Sequence, residues 1–187
     1  YIHRNNVAEN QKGYNKTMPE TVTLPGSRKT NDKGDDVDVN TKWTGDIVDS
    51  SYYTSPVYAK YRQKNNIKYP FWLQPNKYYV GAAWYQREVN IPADWKNKSI
   101  ILFMERCHWE SRLWIDGKEI GLRNGLSVPQ VYELTNVLTP GKHIISFCVD
   151  NRIKNVNVGI NSHSISDHTQ GNWNGIIGDF YLEAHPL

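Results

Sequence analysis

Cysteine is scarce in this sequence: Cys107 and Cys148 are the only two among 187 residues. Two cysteines are too few for the disulfide framework that holds small secreted scaffolds together. Both stand late in predicted strands, so antiparallel pairing of those strands would put them at opposite ends. We therefore expect two unpaired thiols, each packed as a small apolar side chain.

The sequence also lacks clustered charge and long apolar runs. Its net charge is +3, with lysine and arginine scattered along the chain, so we expect neither nucleic-acid binding nor membrane-surface binding. No apolar run approaches the roughly 20 residues of a membrane span. The chain opens at Tyr1 with no methionine and no signal-type apolar core, so any export signal lies outside this sequence.

No catalytic motif is present. The sequence has no nucleophile elbow, glycine-rich phosphate loop, HExxH motif or Cys/His zinc set. Glu105, Glu110 and Asp116 lie in or near predicted strands, whereas a glycosidase needs two carboxylates held about 5–10 Å apart. The sequence establishes no such pair, so we interpret these three as strand-end and surface charges.

Two groups of potential metal ligands lack the spacing of a known site. The loop at 27–41 has four acids near a glycine, which would suit calcium through oxygen ligands, but their spacing is not that of an EF-hand. A solvated acidic loop is the favoured interpretation, a structural calcium is the alternative, and no other cofactor is expected. Two histidines in a later loop are weak evidence for a metal site. The residues concerned are Asp32, Asp35, Asp36, Asp38, His163 and His168.

What the sequence does have is a series of short β-type segments. Residues 100–104 form a compact apolar run rich in β-formers, which predicts a buried strand. A second apolar run at 113–115 leads into Asp116 and Gly117, two residues that tolerate the positive φ angles of a type I′ hairpin. A strand followed so closely by a hairpin is typical of an antiparallel all-β fold.

The rest of the chain contains further short segments of this β type, separated by loops. Alternating apolar residues predict strands at 84–91 and 143–150, with successive side chains on opposite sides. Proline and tyrosine content predicts loops and extended pieces rather than helix at 56–79. Residues 1–17 have no period, which predicts a loose arm or an extended packing segment. Further strands are predicted at 21–24, within 128–138 and at 176–184.

A long polar segment at 151–174 contains the residues best suited to bind a ligand. Its part at 162–174, SHSISDHTQGNWN, offers amides, a carboxylate, imidazoles and the indole of Trp173 close together. Planar polar groups and aromatic rings are what proteins use to bind sugar hydroxyls and sugar C–H faces. On composition alone, the favoured interpretation is instead an ordered connection in which Trp173 fills the core beside Ile176.

Five motifs in register resemble the N-terminal sugar-binding domain of glycoside hydrolase family 2, the family of β-galactosidases, β-glucuronidases and β-mannosidases. Each motif alone is weak, but all five follow one another in the family's order, and the resemblance runs from residue 21 to the end of the chain. The motifs are GAAWYQREVNIP at 81–92, LWIDG at 113–117, YELT with LTPG between 132 and 141, VDN at 149–151, and WNGII with YL between 173 and 182.

The resemblance implies a galactose-binding-domain-like jelly-roll β-sandwich of antiparallel sheets, with an arm at 1–19 and the domain at 20–187. It also implies that the catalytic acid and nucleophile lie in a TIM-barrel domain of the same polypeptide, outside this sequence. The chain alone should therefore hydrolyse nothing. A carbohydrate and that catalytic domain are the expected partners, and the expected location is the periplasm or the exterior of a bacterium.

The resemblance also points to individual residues. NIKYP at 66–70 is similar to the segment whose asparagine reaches the pocket in β-galactosidases, which gives that role to Asn66. Family members often have an acid six residues before the Gly-Ile pair, where it touches the sugar; here that position is Thr169, and Asp167 lies two residues earlier. Together with His168 and Trp173, these are the predicted sugar-binding residues.

The leading hypothesis is thus a non-catalytic accessory domain of a glycosidase that cleaves terminal β-linked sugars, β-galactoside-like in type. The alternatives are an autonomous carbohydrate-binding module and a purely structural interaction domain. An exposed row of tryptophan or tyrosine on one sheet face would favour the module. Aromatic residues packed inside, with an apolar patch on one flank, would favour the accessory domain.

Overall fold

The computed structural model describes residues 2–3, 13–15, 18, 20–38, 40–41, 51–68, 77–125, 127–152, 154 and 172–187. In those residues the chain forms eleven β-strands, one short α-helix and several 3₁₀ turns. No helix in this part of the chain is long and apolar enough to cross a membrane. The strands are β1 (Ile2–His3), β2 (Gly26–Ser27), β3 (Asp35–Asp36), β4 (Lys77–Tyr78), β5 (Ala82–Ile91), β6 (Lys98–His108), β7 (Glu110–Ile115), β8 (Lys118–Asn124), β9 (Gln130–Glu133), β10 (Gly141–Asp150) and β11 (Gly175–Pro186).

These strands form two main sheets in which every pairing is antiparallel. One sheet has five strands in the order β1-β5-β10-β7-β8, and the other has four in the order β2-β11-β6-β9. Strands β3 and β4 pair separately. The all-β sandwich predicted from the sequence is confirmed.

The core lies between the two sheets and follows the predicted alternation. On β6, Ile100, Leu102 and Met104 are buried, while the residues between them are only half-buried. On β10, Phe147 and Val149 belong to the same core. Each fully buried side chain of this kind contributes about 1.5–3 kcal/mol, so burial of one face of each strand drives the two sheets together.

The predicted hairpin joins β7 to β8. Asp116 and Gly117 have φ angles of 51° and 80°, as a type I′ turn requires. The Asp116 carboxylate also accepts a hydrogen bond from the backbone N–H of Ile144 at 2.8 Å and lies 2.6 Å from Nδ1 of His143. Asp116 therefore ties the hairpin to the neighbouring strand β10.

A second apolar cluster covers the outer face of the five-stranded sheet. Trp84 on β5 and Trp114 on β7 have ring centroids 4.7 Å apart, and Tyr14 stacks on Trp114 at 5.4 Å. Gly13 lies so close that a Cβ there would be 2.4 Å from the Trp84 ring. Both tryptophans are buried, with Met18 in the same cluster. The described parts of the N-terminal segment therefore pack on this sheet.

The strand predicted at 21–24 is wrong, because the short strand in this region is β2, two residues further on. The reason is a single side chain. Asn31 accepts a hydrogen bond from the backbone N–H of Thr23 at 2.7 Å and donates to its carbonyl at 3.0 Å. A local amide thus takes the place that a neighbouring strand would have in a sheet.

The prediction of no helix at 56–79 is wrong in its first part. Helix α1 (Ser51–Thr54) makes one turn, and a 3₁₀ helix follows at Pro56–Arg62. Pro56 stands in the first turn, where its missing N–H costs nothing. The Ser55 hydroxyl accepts a hydrogen bond from the backbone N–H of Val57 at 3.3 Å. The proline therefore begins this helix instead of excluding it.

Cys107 and Cys148 form no disulfide and are both buried, as predicted, but the physical reason differs from the one expected. Their strands do not pair with each other: Cys107 lies on β6 in the core between the sheets, whereas Cys148 lies on β10 in the outer cluster. Burial raises the pKa of the Cys107 thiol to about 12. This thiol therefore stays protonated and behaves as an apolar core residue.

Candidate functional site

One end of the sandwich gathers polar side chains at the strand termini. Strands β6 and β10 end here at His108 and Asp150, and β5, β7 and β11 begin here. Antiparallel pairing brings the termini together, because His108 pairs with Gly175 and Asp150 pairs with both Ala82 and Glu110. We call this region the polar end and define it as residues 79–82, 108–110, 150–152 and 172–175.

Two buried asparagines hold the loops of the polar end together. Asn151 accepts a hydrogen bond from the backbone N–H of Gly81 at 2.8 Å and donates to the Tyr79 carbonyl at 2.8 Å. Asn172 donates to the Asn151 carbonyl at 2.9 Å, and its Oδ1 accepts from the Asn151 amide at 3.2 Å. Both side chains are fully buried. The start of β5, the end of β10 and the residues before β11 are thereby bonded to one another without any charge.

A third buried asparagine fixes the start of β11. Asn174 donates to the carbonyls of Gly81 at 3.1 Å and Val149 at 2.9 Å, and it accepts from the Tyr85 hydroxyl at 3.0 Å. All three bonds reach residues distant in the sequence. Loss of this side chain would leave several buried polar groups unpaired, which is costly, so the backbone on either side of Trp173 is firmly held.

Trp173 stands between two of these asparagines and faces the other way. Successive residues of an extended chain point to opposite sides, so the burial of Asn172 and Asn174 turns the indole outward, where it is half-buried. Its ring stacks on His108, with centroids 4.6 Å apart and planes 20° apart. The expectation that Trp173 fills the core beside Ile176 is therefore wrong: Ile176 belongs to the core and Trp173 does not.

His108 is the buried support of this stack. Its side chain is 2% exposed, and its Nε2 lies 3.0 Å from Oδ1 of Asn172. Burial lowers the pKa of His108 to about 4, and the bond to Asn172 opposes that effect only in part. The imidazole is therefore neutral at pH 7, and we assign its hydrogen to Nε2, where the Asn172 oxygen accepts it.

A four-membered ion cluster borders the same end. Lys154 Nζ lies 2.8 Å from a carboxylate oxygen of both Asp150 and Glu110, and Arg152 donates to Asp150 through Nε at 3.0 Å. Burial alone would raise the pKa of Asp150, but the bonds from Arg152 and Lys154 outweigh it and leave that pKa below its ordinary value. The interpretation of Glu110 as a surface charge is wrong, because its side chain is buried and paired with Lys154.

Asn66 follows the 3₁₀ helix at Pro56–Arg62, outside the polar end. Its side chain is exposed, and its Nδ2 donates to the Lys60 carbonyl at 2.9 Å. Its backbone N–H donates to the Gln63 carbonyl at 2.8 Å. The Nδ2 group of Asn66 thus closes the turn that contains this residue, while its Oδ1 has no partner in the described chain. The other predicted sugar-binding residues, Asp167, His168 and Thr169, lie outside the described residues.

Within the described residues, no group of three or more His, Cys, Asp or Glu side chains is arranged to bind a metal ion. In the acidic loop, Asp36 pairs with Lys77 Nζ at 2.6 Å, and Asp38 accepts a hydrogen bond from the Asn40 backbone N–H at 2.7 Å. Two of the four acids therefore already make contacts within the protein. A structural calcium here stays a prediction, and His163 lies outside the described residues.

An apolar cleft of about 470 Å³ opens on one flank, between β5 and β11. Phe147 and Phe180 meet in it edge to face, with centroids 5.8 Å apart. The residues of β5, β10 and β11 that line this cleft lie away from the polar end, so the cleft is a separate feature. Its further apolar lining is Val22, Leu24, Val89, Leu102, Ile145 and Leu182.

Comparison with known proteins identifies the family of this sandwich. The family model described as "Glycosyl hydrolases family 2, sugar binding domain" matches residues 8–186. The chain belongs to glycosyl hydrolase family 2. The match includes the whole polar end of the family 2 domain and confirms the resemblance drawn from the five motifs.

Three relatives show how this family 2 domain compares with longer proteins. A beta-galactosidase of Arthrobacter sp. (strain B7) is 24% identical over 176 residues, which are 90% of this chain and 16% of that protein. The crystal structure of Bacteroides uniformis beta-glucuronidase is 28% identical, with a TM-score of 0.50, and the match covers 58% of this chain and 12% of that one. A putative beta-galactosidase from Bacteroides fragilis is 21% identical, with a TM-score of 0.49, over 59% of this chain and 16% of that one. The family 2 domain thus spans no more than about a sixth of these relatives.

The sequence points to Trp173 as a ligand-binding residue but does not show what supports its ring in the family 2 domain. No local pattern gives His108 a role, and Asn151 and Asn174 stand out only as members of the motifs VDN and WNGII. The available signal was a polar residue at the end of a strongly apolar strand, as with His108 after the apolar run of β6. Buried polar groups need hydrogen-bond partners, so such residues predict a polar network at the end of the sheet.

Proposed function

We propose that this chain is a non-catalytic accessory domain that helps a family 2 glycosidase to bind terminal β-linked sugars, β-galactoside-like in type. The observation that carries the proposal is the stack of Trp173 on His108. A buried, neutral imidazole supports one face of the indole, while the indole itself stays half-buried. A ring supported in this way suits the C–H face of a sugar.

The asparagine network adds preorganisation to this aromatic surface. Asn172 and Asn174 hold the backbone on both sides of Trp173 through buried hydrogen bonds, so little ordering is needed when a ligand binds. We assign the hydroxyl contacts to polar groups that precede Trp173 in the sequence, the planar groups of Asp167 and His168 and the hydroxyl of Thr169. Asn66 is a further candidate, and its exposure and unused Oδ1 support that role.

The second partner that we propose is a catalytic domain of the same polypeptide. The chain spans only 16% of the length of the beta-galactosidase that it matches, which supports a larger parent enzyme. On the outer face of the four-stranded sheet, Phe103 pairs with Tyr181 on one side and Val131 on the other, and Tyr181 is 40% exposed. This apolar row and the flank cleft are surfaces that a neighbouring domain would cover. The catalytic carboxylates would lie in that domain, and the proposed location remains the periplasm or the exterior of a bacterium.

An autonomous carbohydrate-binding module is the alternative function. Such a module would expose a row of aromatic rings on one sheet face. The two tryptophans best placed for this, Trp84 and Trp114, are buried in a cluster with Met18, and Tyr14 packs on them. Covered tryptophans together with an apolar flank support the accessory domain.

The first test changes Trp173 in the full-length parent enzyme. Trp173→Ala should lower kcat/KM by about tenfold, because the sugar loses its aromatic contact, and should cost about 1–2 kcal/mol of stability, since the ring is only half-buried. Trp95→Ala is the matched control, because Trp95 is also half-buried but lies in the turn between β5 and β6, at the opposite end of both strands. If both variants keep wild-type kcat/KM, the indole does not contact the sugar.

The second test changes Asn66 in the same enzyme. An amide can both donate to and accept from sugar hydroxyls, and a lost hydrogen bond costs about 0.5–1.5 kcal/mol or more when its partner stays buried. Asn66→Ala should therefore lower kcat/KM by about tenfold with little change in Tm, whereas Asn65→Ala, its exposed neighbour, should leave both unchanged. Full activity of Asn66→Ala would mean that this side chain only closes its turn onto Lys60.

A further inference from the structure

Arg28 is a buried arginine directly after β2. Its side chain is 1% exposed, and its backbone N–H donates to the Asn174 carbonyl at 2.8 Å. Its Nε and Nη1 are both enclosed, and neither has a hydrogen-bond partner in the part of the chain that the structure describes. Two donors of a cationic group are therefore sealed from solvent and unsatisfied.

The charge of Arg28 needs compensation that the described residues around it do not supply. A guanidinium is not deprotonated in proteins, and an uncompensated buried charge is strongly unfavourable. The Tyr79 ring lies under the guanidinium, with Cζ 4.0 Å from the ring centroid. A cation–π contact of this kind offsets only part of the cost of burying a full charge.

Three acidic groups around Arg28 and Tyr79 are either neutral or already paired. Burial raises the pKa of Tyr79 to about 12 although Arg28 opposes the shift, and the hydroxyl donates to the Ala82 carbonyl. Burial likewise raises the pKa of Tyr85, whose hydroxyl donates to Asn174. Asp150 is bonded to Arg152 and Lys154. None of these three groups therefore offers a free negative charge to the guanidinium.

We propose that Arg28 binds one small monovalent anion, either a halide or a monocarboxylate, at the edge of the guanidinium. The anion lies at the edge because the Tyr79 ring occupies one face of the guanidinium and the unpartnered N–H groups point outward in its plane. The bound anion satisfies Arg28 between β2 and the start of β11. Because the Arg28 backbone bonds Asn174, next to Trp173, the anion also stabilises the base of the polar end.

The test measures thermal unfolding of the 187-residue chain while chloride or formate replaces sulfate at constant ionic strength. Binding to the folded state alone raises Tm, by about 5–10 °C when the anion reaches about a hundred times its Kd. Arg28→Met fills the same space without charge and should lose that rise. Arg106→Met, at an exposed arginine, should keep it. General effects of salt on the surface act on all three proteins alike and cancel in the comparison.

The two titrations also identify the anion, because the anion that saturates at the lower concentration is the ligand. A measurement without any variant covers the case in which Arg28→Met does not fold: chloride-35 resonances should broaden in the presence of the wild-type domain, and excess formate should reverse the broadening. Equal Tm responses in wild type and Arg28→Met, or no broadening beyond that of an unrelated protein of similar charge, would overturn the proposal and leave buried water as the partner of Arg28.

Discussion

His108 should make the stability of the domain depend on pH in a defined window. Burial lowers its pKa in the folded protein to about 4, against 6.5 for the exposed side chain. Between these two values the unfolded chain binds a proton that the folded protein does not bind. The stability contributed by neutral His108 is therefore complete above about pH 6.5 and is lost progressively as the pH falls toward 4.

The expected loss of stability follows from the size of the pKa shift of His108. A change from 6.5 to about 4 corresponds to about 3 kcal/mol of unfolding free energy over the whole window. Between pH 7 and pH 5 the expected loss is about 2 kcal/mol, because the window is not yet fully crossed. For a domain of this size such a loss lowers Tm by about 4–8 °C.

The assay compares urea unfolding of the wild type and of His108→Gln at pH 7, 6 and 5, followed by tryptophan fluorescence. Glutamine keeps a donor that can reach Asn172 but has no proton to gain, so the difference in pH slope between the two proteins isolates His108 from all other titrating groups. The wild type should lose about 2 kcal/mol more than the variant. Equal losses would mean that His108 titrates normally, and the buried stack under Trp173 would then be wrong.

Three further predictions concern the domain alone. Gly13→Ala should destabilise it by about 1–3 kcal/mol in urea unfolding, because the new Cβ would lie 2.4 Å from the Trp84 ring; an unchanged midpoint would contradict that close contact. Asn151→Ala should cost about 2–5 kcal/mol, since it leaves the N–H of Gly81 and other buried groups unpaired, whereas Asn90→Ala, on an exposed site, should stay within about 0.5 kcal/mol of wild type. The purified domain should not hydrolyse nitrophenyl β-glycosides, and turnover that survives repurification would place catalytic carboxylates in this chain.

The strands that the sequence predicts well are those with one face in the core. In β6, Ile100 and Leu102 are buried and the residue between them is not, so a period of two residues is visible without any knowledge of the partner strand. The Asp116-Gly117 turn is equally local, because positive φ at two successive positions depends on these two residues alone. For this strand and this turn, patterns within a few residues of sequence are sufficient to predict the structure.

Features that depend on distant partners were not visible in the sequence. Asn151 bonds to Gly81 across 70 residues, and no local period reports such a bond. Trp173 looked like a core residue because it is large and apolar, but the buried asparagines beside it decide which way it faces. The error at 21–24 has a different origin, since the nearby side chain of Asn31 makes the hydrogen bonds that a neighbouring strand would otherwise make.

The cover over Trp84 and Trp114 sets a limit on how far the domain can be shortened. A version that begins at residue 20 would lack Tyr14 and Met18, and it would expose two indoles whose ring centroids are 4.7 Å apart. It would also lack β1, which pairs with the edge of β5, so an open strand edge would lie beside a bare aromatic surface. Sheets with both features tend to join edge to edge. The described residues of this segment, at 2–3, 13–15 and 18, therefore protect the domain against self-association, and their removal should be seen first as aggregation.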